Sequence, residues 1–324
     1  MKIVITGGCG YIGSHITRYL KQHNKNIQVY VVDRERRDHT IKNVNAFLHA
    51  DYASRSATMW IEEILPDVVV HCASDIRVAE SVENPGKYYH NNVAKTIELL
   101  NCLKNLERKP LILFSSSASV YGNPTQFPIT ESAPIQPISP YGSTKAITER
   151  ILADYNQAYG LGSVCFRYFN ACGAEPVHYD LGQELGASHI IARVLESQIN
   201  NNTFVLNGND YATADGTCIR DYIHVWDLAD AHLRAIEWHK HNQTPQALAV
   251  NLGTNHGISN QDIIRYVSNK YGPFNVKHGP RRPGDPDQLV ADATLANTVL
   301  GWHPQYSTID QIIDSAYKWY TREF

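Results

Sequence analysis

Tyr141 and Lys145 are residue types that can transfer a proton, and they stand in a Tyr-x-x-x-Lys spacing. On a helix this spacing places both side chains on one face, about one turn apart. An ammonium group beside a phenol stabilises the phenolate and lowers the phenol's pKa from its usual value of about 10. We therefore expect Tyr141 to accept a proton from a substrate hydroxyl near neutral pH.

The same spacing recurs in Tyr266 and Lys270, so the pair alone does not identify a site. Upstream of Tyr141, however, a run of serines follows the predicted strand 111–114. Ligands of open α/β sheets bind where the strands end. We choose Ser117 from this run as the hydroxyl that binds the substrate and relays the proton, with a strand-end serine that caps a turn as the alternative. Tyr266 and Lys270 have no such neighbours and are predicted to be structural.

A glycine-rich segment near the start of the chain predicts a dinucleotide site. Gly7, Gly10 and Gly13 follow a short apolar strand and open a helix. Glycines in this pattern permit a tight turn, a close approach of backbone amides to a pyrophosphate, and close packing of helix on strand. The helix N-terminus also presents free N–H groups to the phosphates. Asp33 ends the next strand and can bond the adenosine ribose, which favours NAD over NADP.

Three arginines close to Asp33 bear on the form of the cofactor. Arg34, Arg36 and Arg37 follow it, and arginine can accept the 2′-phosphate of NADP. We predict that they lie in a solvated loop and that the cofactor is NAD. Asp51 is a further candidate at the adenine edge, with a surface turn or a cap as the alternative.

The order of the segments predicts the scaffold that positions these residues. Short apolar strands are predicted at 2–6, 29–32, 68–71, 111–114 and 164–168, and helices at 12–23, 57–65, 89–106 and 144–159. Such alternation is typical of the α/β class, with a Rossmann-type doubly wound parallel sheet. After about residue 170 the pattern changes, and we predict a smaller α/β substrate domain.

The later segments support a division into two domains. Helices are predicted at 222–238 and 309–320, and loops at 173–187, 200–216 and 273–286. We assign 1–172 and about 221–252 to an NAD-binding domain, and 173–220 and 253–324 to the substrate domain.

Composition narrows the classes of function. The chain has 324 residues, 43% hydrophobic, with a formal net charge of −3, which gives no reason to expect a nucleic acid or an anionic membrane as partner. No run of about 18 apolar residues occurs, and the apolar run at the N-terminus is too short for a signal peptide. Six scattered cysteines without a CxxC pair predict reduced thiols in a cytoplasmic protein. His239 and His241 are predicted to be exposed, and we expect no metal site.

These motifs resemble the extended short-chain dehydrogenase/reductase superfamily and, more narrowly, the UDP-glucose 4-epimerase family. The likeness extends over nearly the whole chain and includes the segments 7–15, 80–82, 88–93, 115–117, 139–145, 167–170, 215–225 and 281–285. Two departures stand out. Ile76 replaces a lysine that many members carry near the cofactor, and the segment 174–188 diverges.

The resemblance implies roles for the residues that match the family's motifs. Ser117, Tyr141 and Lys145 correspond to the catalytic trio. The implied cofactor contacts are Gly7, Gly10, Tyr11, Ile12, Gly13, Asp33, Asp51, Tyr52, Cys72, Ala73, Asn92, Ser115, Tyr141, Lys145 and Tyr168. The implied substrate contacts are Ser117, Tyr141, Asn170, Arg220, Arg282 and Asp285. Arginine suits such a site because its planar, always charged guanidinium can bind a diphosphate bidentately.

The activity implied by the resemblance is that of an NAD-dependent 4-epimerase, an isomerase of galactose metabolism. It would interconvert UDP-galactose and UDP-glucose through a 4-keto intermediate and transient NADH. The resemblance also implies a homodimer that pairs through the helices 89–106 and 144–159.

Other functions stay open at this point. Another UDP-sugar could be the substrate (UDP-N-acetylglucosamine, UDP-xylose/arabinose or a uronic acid), because Leu289, near the family's pocket-volume position, is intermediate in bulk. A 4,6-dehydratase is less favoured, since Ala118 and Ser119 follow Ser117 where an Asp-Glu pair is expected. A non-catalytic NAD-binding protein would not need the serine, tyrosine and lysine together.

Overall fold

The computed structural model describes residues 1–183, 186, 189–242, 246–281 and 285–322. Strands and helices alternate through the first half of the chain. Up to residue 104 the elements are β1 (Lys2–Thr6), α1 (Tyr11–His23), β2 (Gln28–Asp33), β3 (Ala46–His49), α2 (Arg55–Ile64), β4 (Val68–His71), α3 (Val78–Glu83), α4 (Pro85–Tyr89), a π-helical turn (His90–Ala94) and α5 (Lys95–Lys104). They continue with β5 (Leu111–Ser117), a 3-10 helix (Ala118–Tyr121), α6 (Pro140–Tyr159), β6 (Ser163–Tyr168) and β7 (Asn170–Cys172).

Shorter strands and further helices make up the second half. The elements there are α7 (Ile190–Ile199), β8 (Phe204–Asn207), β9 (Ile219–His224), α8 (Val225–His241), β10 (Ala247–Leu252), β11 (Gly257–Ser259), α9 (Asn260–Tyr271), β12 (Val276–Gly279), β13 (Gln288–Leu289), α10 (Thr294–Leu300) and α11 (Ile309–Thr321). Within the ranges described, no helix is long and apolar enough to cross a bilayer.

Seven parallel strands form the main sheet, in the order β10-β6-β5-β4-β1-β2-β3. The sequence of strands reverses at β1, because β2 and β3 lie on one side of it and β4, β5 and β6 on the other. Side chains of β1 enter two buried clusters alternately, Ile3 and Ile5 on one face and Val4 on the other. Helices therefore cover both faces, and the predicted doubly wound α/β sheet is confirmed.

The second half adds a smaller sheet and its own buried cluster. Strand β9 pairs with β7, β11 and β13, and β8 pairs with β12. Helices α7, α9 and α11 bury Val194, Val267 and Ile313 in this cluster. Strands β8 and β12 lie in segments predicted as loops, and β9 replaces the start of the predicted helix 222–238. These predictions were wrong because strands of four to six residues have too few positions for their periodicity to be recognised.

Two helix boundaries differ from the prediction in ways that matter for the site. Helix α6 begins at Pro140 rather than 144, because Ser139 caps it by accepting a hydrogen bond from Gly142 N at 3.1 Å. Tyr141 therefore lies in the first turn of α6. The helix predicted at 89–106 begins at Pro85 and passes through the π-helical turn, which is a local widening often found at functional sites.

Candidate functional site

The glycine turn between β1 and α1 has the tight geometry that the sequence predicts. Gly7 has a φ of +72°, and its carbonyl accepts a hydrogen bond from Gly10 N at 3.1 Å. A Cβ on Gly7 would lie 2.7 Å from Ala73 N, and a Cβ on Gly13 would lie 2.3 Å from Gly7 O. Neither position can carry a side chain without moving the backbone. No side chain caps the α1 N-terminus at Gly10, so its N–H groups are free to bind a phosphate.

Asp33 connects this turn to the end of β2. Its carboxylate accepts hydrogen bonds from Cys9 N at 2.9 Å and from Glu35 N at 3.0 Å. A cleft opens beside it at the carboxyl ends of the strands. Seven predicted cofactor residues line this cleft, namely Gly7, Gly10, Asp33, Asp51, Tyr52, Cys72 and Ala73. The free N–H groups at one end and the carboxylates of Asp33 and Asp51 suit a pyrophosphate and ribose hydroxyls, so the residues present fit NAD.

Charged residues that sequence reasoning did not assign to the cleft also line it. Lys95 binds Asp51 at 2.6 Å, and Arg34 binds Asp75 at 3.0 Å. Arg37 is half-buried and lines the cleft as well, whereas Arg34 and Arg36 are exposed, as predicted for a solvated loop. Lys95 begins α5, inside the segment 89–106 that was predicted only as a long helix, and helical periodicity alone gives it no role at the cleft.

Other predicted cofactor residues support the cleft from its surroundings. The Tyr11 hydroxyl donates to Gly173 O at 2.7 Å, and Ile12 packs against the main core. Asn92 is buried in the π-helical turn. Its Oδ1 accepts from Asp75 N at 2.8 Å, and its Nδ2 donates to Thr144 Oγ1 at 3.2 Å. Asn92 thereby joins the loop after β4 to helix α6.

Lys145 is buried beneath Tyr141 on α6. Its Nζ donates to Ser115 O at 2.8 Å and lies 5.7 Å from the centre of the Tyr141 ring. Burial lowers the pKa of Lys145 to about 8. Burial also raises the pKa of Tyr141 above its usual value, and a hydrogen bond to Ser117 offsets only part of this rise. The predicted lowering of the Tyr141 pKa is therefore wrong for the protein's own groups, because burial raises this pKa more than the hydrogen bond to Ser117 lowers it.

Ser117 ends β5 and caps the following 3-10 helix. Its Oγ accepts from Ser119 N at 3.2 Å and donates to Ser119 Oγ at 3.1 Å. Two positions earlier, Ser115 Oγ lies 3.1 Å from the Tyr168 hydroxyl and 3.2 Å from Cys72 Sγ. The fold thus brings the predicted trio and these cofactor candidates to one edge of the main sheet.

The second Tyr-x-x-x-Lys pair lies elsewhere, on α9. Lys270 Nζ donates to Tyr266 OH at 3.0 Å and to Asp314 of α11 at 2.6 Å. Lys270 is therefore engaged in an ion pair between two helices, in agreement with the predicted structural role.

The predicted substrate residues gather around β9. Arg220 is buried, forms an ion pair with Asp285 and donates to Ile219 O at 2.8 Å. Asn170 lies on the neighbouring strand β7, in register with Tyr222. Arg282 lies outside the described residues. A small cavity beside Asp285 is lined by Ile190, Arg193, Phe204, Val205, Leu206, Asn207, Asn260 and Asp285. Four of the eight lining residues form β8 and were missed because this segment was predicted as a loop.

Comparison with known proteins places the chain in a family. Residues 3–253 match the NAD dependent epimerase/dehydratase family. The chain belongs to this family. It is 41% identical to a UDP-glucose 4-epimerase of Lactobacillus helveticus, with 99% of this chain and 97% of the relative covered. It is 39% identical to a UDP-glucose 4-epimerase of Halalkalibacterium halodurans, with 99% and 96% covered.

Solved structures of the family have the same fold. UDP-glucose 4-epimerase from Brucella ovis in complex with NAD is 39% identical, with a TM-score of 0.90 and 98% and 97% of the two chains covered. The UDP-glucose 4-epimerase from Stenotrophomonas maltophila, with NAD and formylated UDP-arabinopyranose, is 32% identical, with a TM-score of 0.92 and 98% and 97% covered. The predicted family, its NAD cofactor and the Rossmann-type fold are confirmed.

Proposed function

We propose that the chain is a UDP-glucose 4-epimerase, which interconverts UDP-galactose and UDP-glucose. The observation that carries this proposal is the position of Ser117, Tyr141 and Lys145, at the carboxyl edge of the main sheet where the glycine turn also lies. Full-length similarity to UDP-glucose 4-epimerases supports the same reaction.

In this proposal, different predicted contacts bind different parts of NAD. The turn at Gly7, Gly10 and Gly13 holds the pyrophosphate, and Asp33 binds the adenosine ribose. When bound, NAD would supply the reversible hydride transfer at carbon 4 of the sugar.

The chain's own residues move the proton. Tyr141 removes the proton of the 4-hydroxyl and later gives it back, while Ser117 hydrogen-bonds the same oxygen. Lys145 supports the phenolate with its positive charge, because its hydrogen bond to Ser115 O holds the ammonium beneath the Tyr141 ring. With a pKa of about 8, Lys145 is still mostly protonated at neutral pH.

The nucleotide stays bound while the 4-keto sugar rotates to present its other face. We assign this task to Asn170, Arg220, Arg282 and Asp285. Of these, Asp285 lines the small cavity and pairs with Arg220. The domain division at 1–172 with about 221–252, against 173–220 with 253–324, is part of the proposal. The separate buried cluster of α7, α9 and α11 supports it.

The experiment that tests the function is incubation of the purified protein with UDP-galactose and analysis of the products. We expect UDP-glucose to form until both sugars are present at equilibrium. Parallel incubations with UDP-N-acetylglucosamine, UDP-arabinose and UDP-glucuronic acid identify the preferred sugar. Conversion of one of these sugars without conversion of UDP-galactose would replace the proposed substrate. A 4-keto-6-deoxy product would indicate a dehydratase, and no conversion at all would favour a binding protein.

The oligomeric state and the location belong to the same proposal. We propose a cytoplasmic homodimer that pairs through α5 and α6. Ile147 and Tyr159 leave apolar surface exposed on α6, which supports pairing, and all six cysteines are free thiols, which supports a reducing compartment. Light scattering of the purified protein should give twice the mass of the 36.4 kDa chain.

A further inference from the structure

A buried polar group lies next to the catalytic serine and is not used by the mechanism above. Glu149 stands one turn beyond Lys145 on α6 and accepts a hydrogen bond from Ser116 Oγ at 2.5 Å. Arg167 on β6 binds the same carboxylate through Nε at 3.1 Å and through Nη2 at 2.7 Å. The side chains of Glu149 and Arg167 are 11% and 7% exposed. We call Ser116, Tyr121, Glu149 and Arg167 the Glu149 cluster.

The cluster holds the chain on both sides of Ser117. Ser116, which precedes Ser117 in the chain, donates its hydroxyl to Glu149. After Ser117, Arg167 Nη1 donates to the Tyr121 hydroxyl at 2.8 Å. Tyr121 is the last residue of the 3-10 helix that Ser117 caps. One ion pair therefore fixes both ends of the short segment that carries the Ser117 hydroxyl.

The same cluster relates this segment to helix α6. Lys145 binds the backbone of Ser115, and one turn later Glu149 binds the side chain of Ser116. Successive turns of α6 thus hold successive residues of β5. Because Tyr141 lies one turn before Lys145 on this helix, these contacts determine where its phenol stands relative to Ser117.

Stability alone does not account for this arrangement. Removing two charges from water is costly, and well-packed apolar side chains often stabilise a core equally well. A bidentate arginine–carboxylate pair does, however, impose a defined geometry on the groups bound to it. Reactions that depend on a proton relay are sensitive to such geometry, since a misplacement of about 1 Å can lower the rate about 100-fold.

We infer that Glu149 and Arg167 are positioning residues for the epimerase reaction, which set the Ser117 hydroxyl against the Tyr141 phenol through Ser116 and Tyr121. This inference rests on the proposed function. It assigns to the cluster an effect on kcat, with little effect on the binding of NAD or of the sugar nucleotide.

Ser116→Ala tests the inference and leaves the ion pair in place. We expect kcat to fall about tenfold, with KM, bound NAD and the melting temperature close to those of the wild type. Ser116→Thr keeps a hydroxyl and should restore most of kcat. Ser163→Ala is the matched control, because Ser163 is buried on β6 and its Oγ has no partner among the described residues. This control should leave kcat unchanged.

Tyr121→Phe tests the other side of Ser117 by removing only the hydroxyl. We expect a several-fold fall in kcat with unchanged KM. An unchanged kcat in both Ser116→Ala and Tyr121→Phe would overturn the inference, and so would an equal loss in Ser163→Ala. A fall in kcat accompanied by matching losses of NAD and melting temperature would also overturn it, because it would indicate a structural role. Wild-type protein that does not epimerise any UDP-sugar would refute the proposed function instead, so the two failures are distinct.

Discussion

The cofactor cleft and the small cavity beside Asp285 are built in different ways. The cleft rests on backbone geometry, because the β1–α1 turn, with two glycines that admit no Cβ, places free N–H groups where phosphates can bind. The cavity rests on side chains of α7, β8 and α9 together with Asp285. A backbone site is encoded in one short segment, whereas a side-chain site is assembled from segments distant in sequence. The two should therefore respond differently to substitution.

The largest effect is expected at Tyr141, the proposed proton acceptor in the first turn of α6. Tyr141→Phe should lower kcat about 1000-fold, because the proton acceptor is lost. Bound NAD and KM should change little, since the ring remains. Tyr266→Phe is the matched control, because it removes the phenol of the second Tyr-x-x-x-Lys pair, and it should leave kcat unchanged. Steady-state kinetics with the preferred sugar measure both, and retained activity in Tyr141→Phe would refute its role as the base.

A single methyl group should disable the backbone site. Gly13→Ala places a Cβ 2.3 Å from Gly7 O, so the turn must move, and we expect the NAD content of the purified protein to fall more than tenfold. Gly86→Ala is the control, because its added Cβ has no described atom within 4 Å apart from its chain neighbours and the backbone of its own helix. Absorbance of the purified protein and release of NAD on denaturation measure the content. Full NAD content in Gly13→Ala would show that the turn does not determine binding.

A smaller effect is expected beside the small cavity, where Arg220 pairs with the lining residue Asp285. Arg220→Met removes a charged donor, so KM for the sugar nucleotide should rise about tenfold, while bound NAD stays constant. Arg265→Met is the control, because Arg265 forms an exposed ion pair with Asp262 and should not affect KM. If KM is unchanged in Arg220→Met, the ion pair of Arg220 with Asp285 is structural and the nucleotide binds elsewhere.

The smallest effect concerns pH. Ionisation of Tyr141, whose pKa is raised, should make kcat rise with pH, whereas Lys145 loses its proposed supporting charge above its pKa of about 8. The rise of kcat should therefore flatten between pH 8 and 9. NAD content should stay constant over this range, since the backbone turn does not titrate. A kcat that keeps rising through pH 9 would contradict the role of Lys145.

The contrast between the two sites also explains what the sequence could predict. The turn at Gly7, Gly10 and Gly13 could be predicted from the spacing of the glycines and from the strand before them. Asp33 could be predicted from its distance along the chain from this turn. The ion pair of Lys95 with Asp51 could not be predicted, because its two residues meet only through the packing of α5 against the sheet. Strand β8 was missed since four residues carry too little periodicity to be recognised. The raised pKa of Tyr141 depends on burial, which spacing does not report.

Asp33 couples two properties of the cofactor site, namely the choice between NAD and NADP and the shape of the glycine turn. In the proposed site its carboxylate would exclude a phosphorylated ribose by charge, and in the structure it accepts a hydrogen bond from Cys9 N within the glycine turn. Replacement of Asp33 by a neutral residue to admit NADP would therefore remove a hydrogen bond that fixes the glycine turn, and the binding of both NAD and NADP should weaken. A successful switch of cofactor in this enzyme needs a replacement that still accepts a hydrogen bond from Cys9.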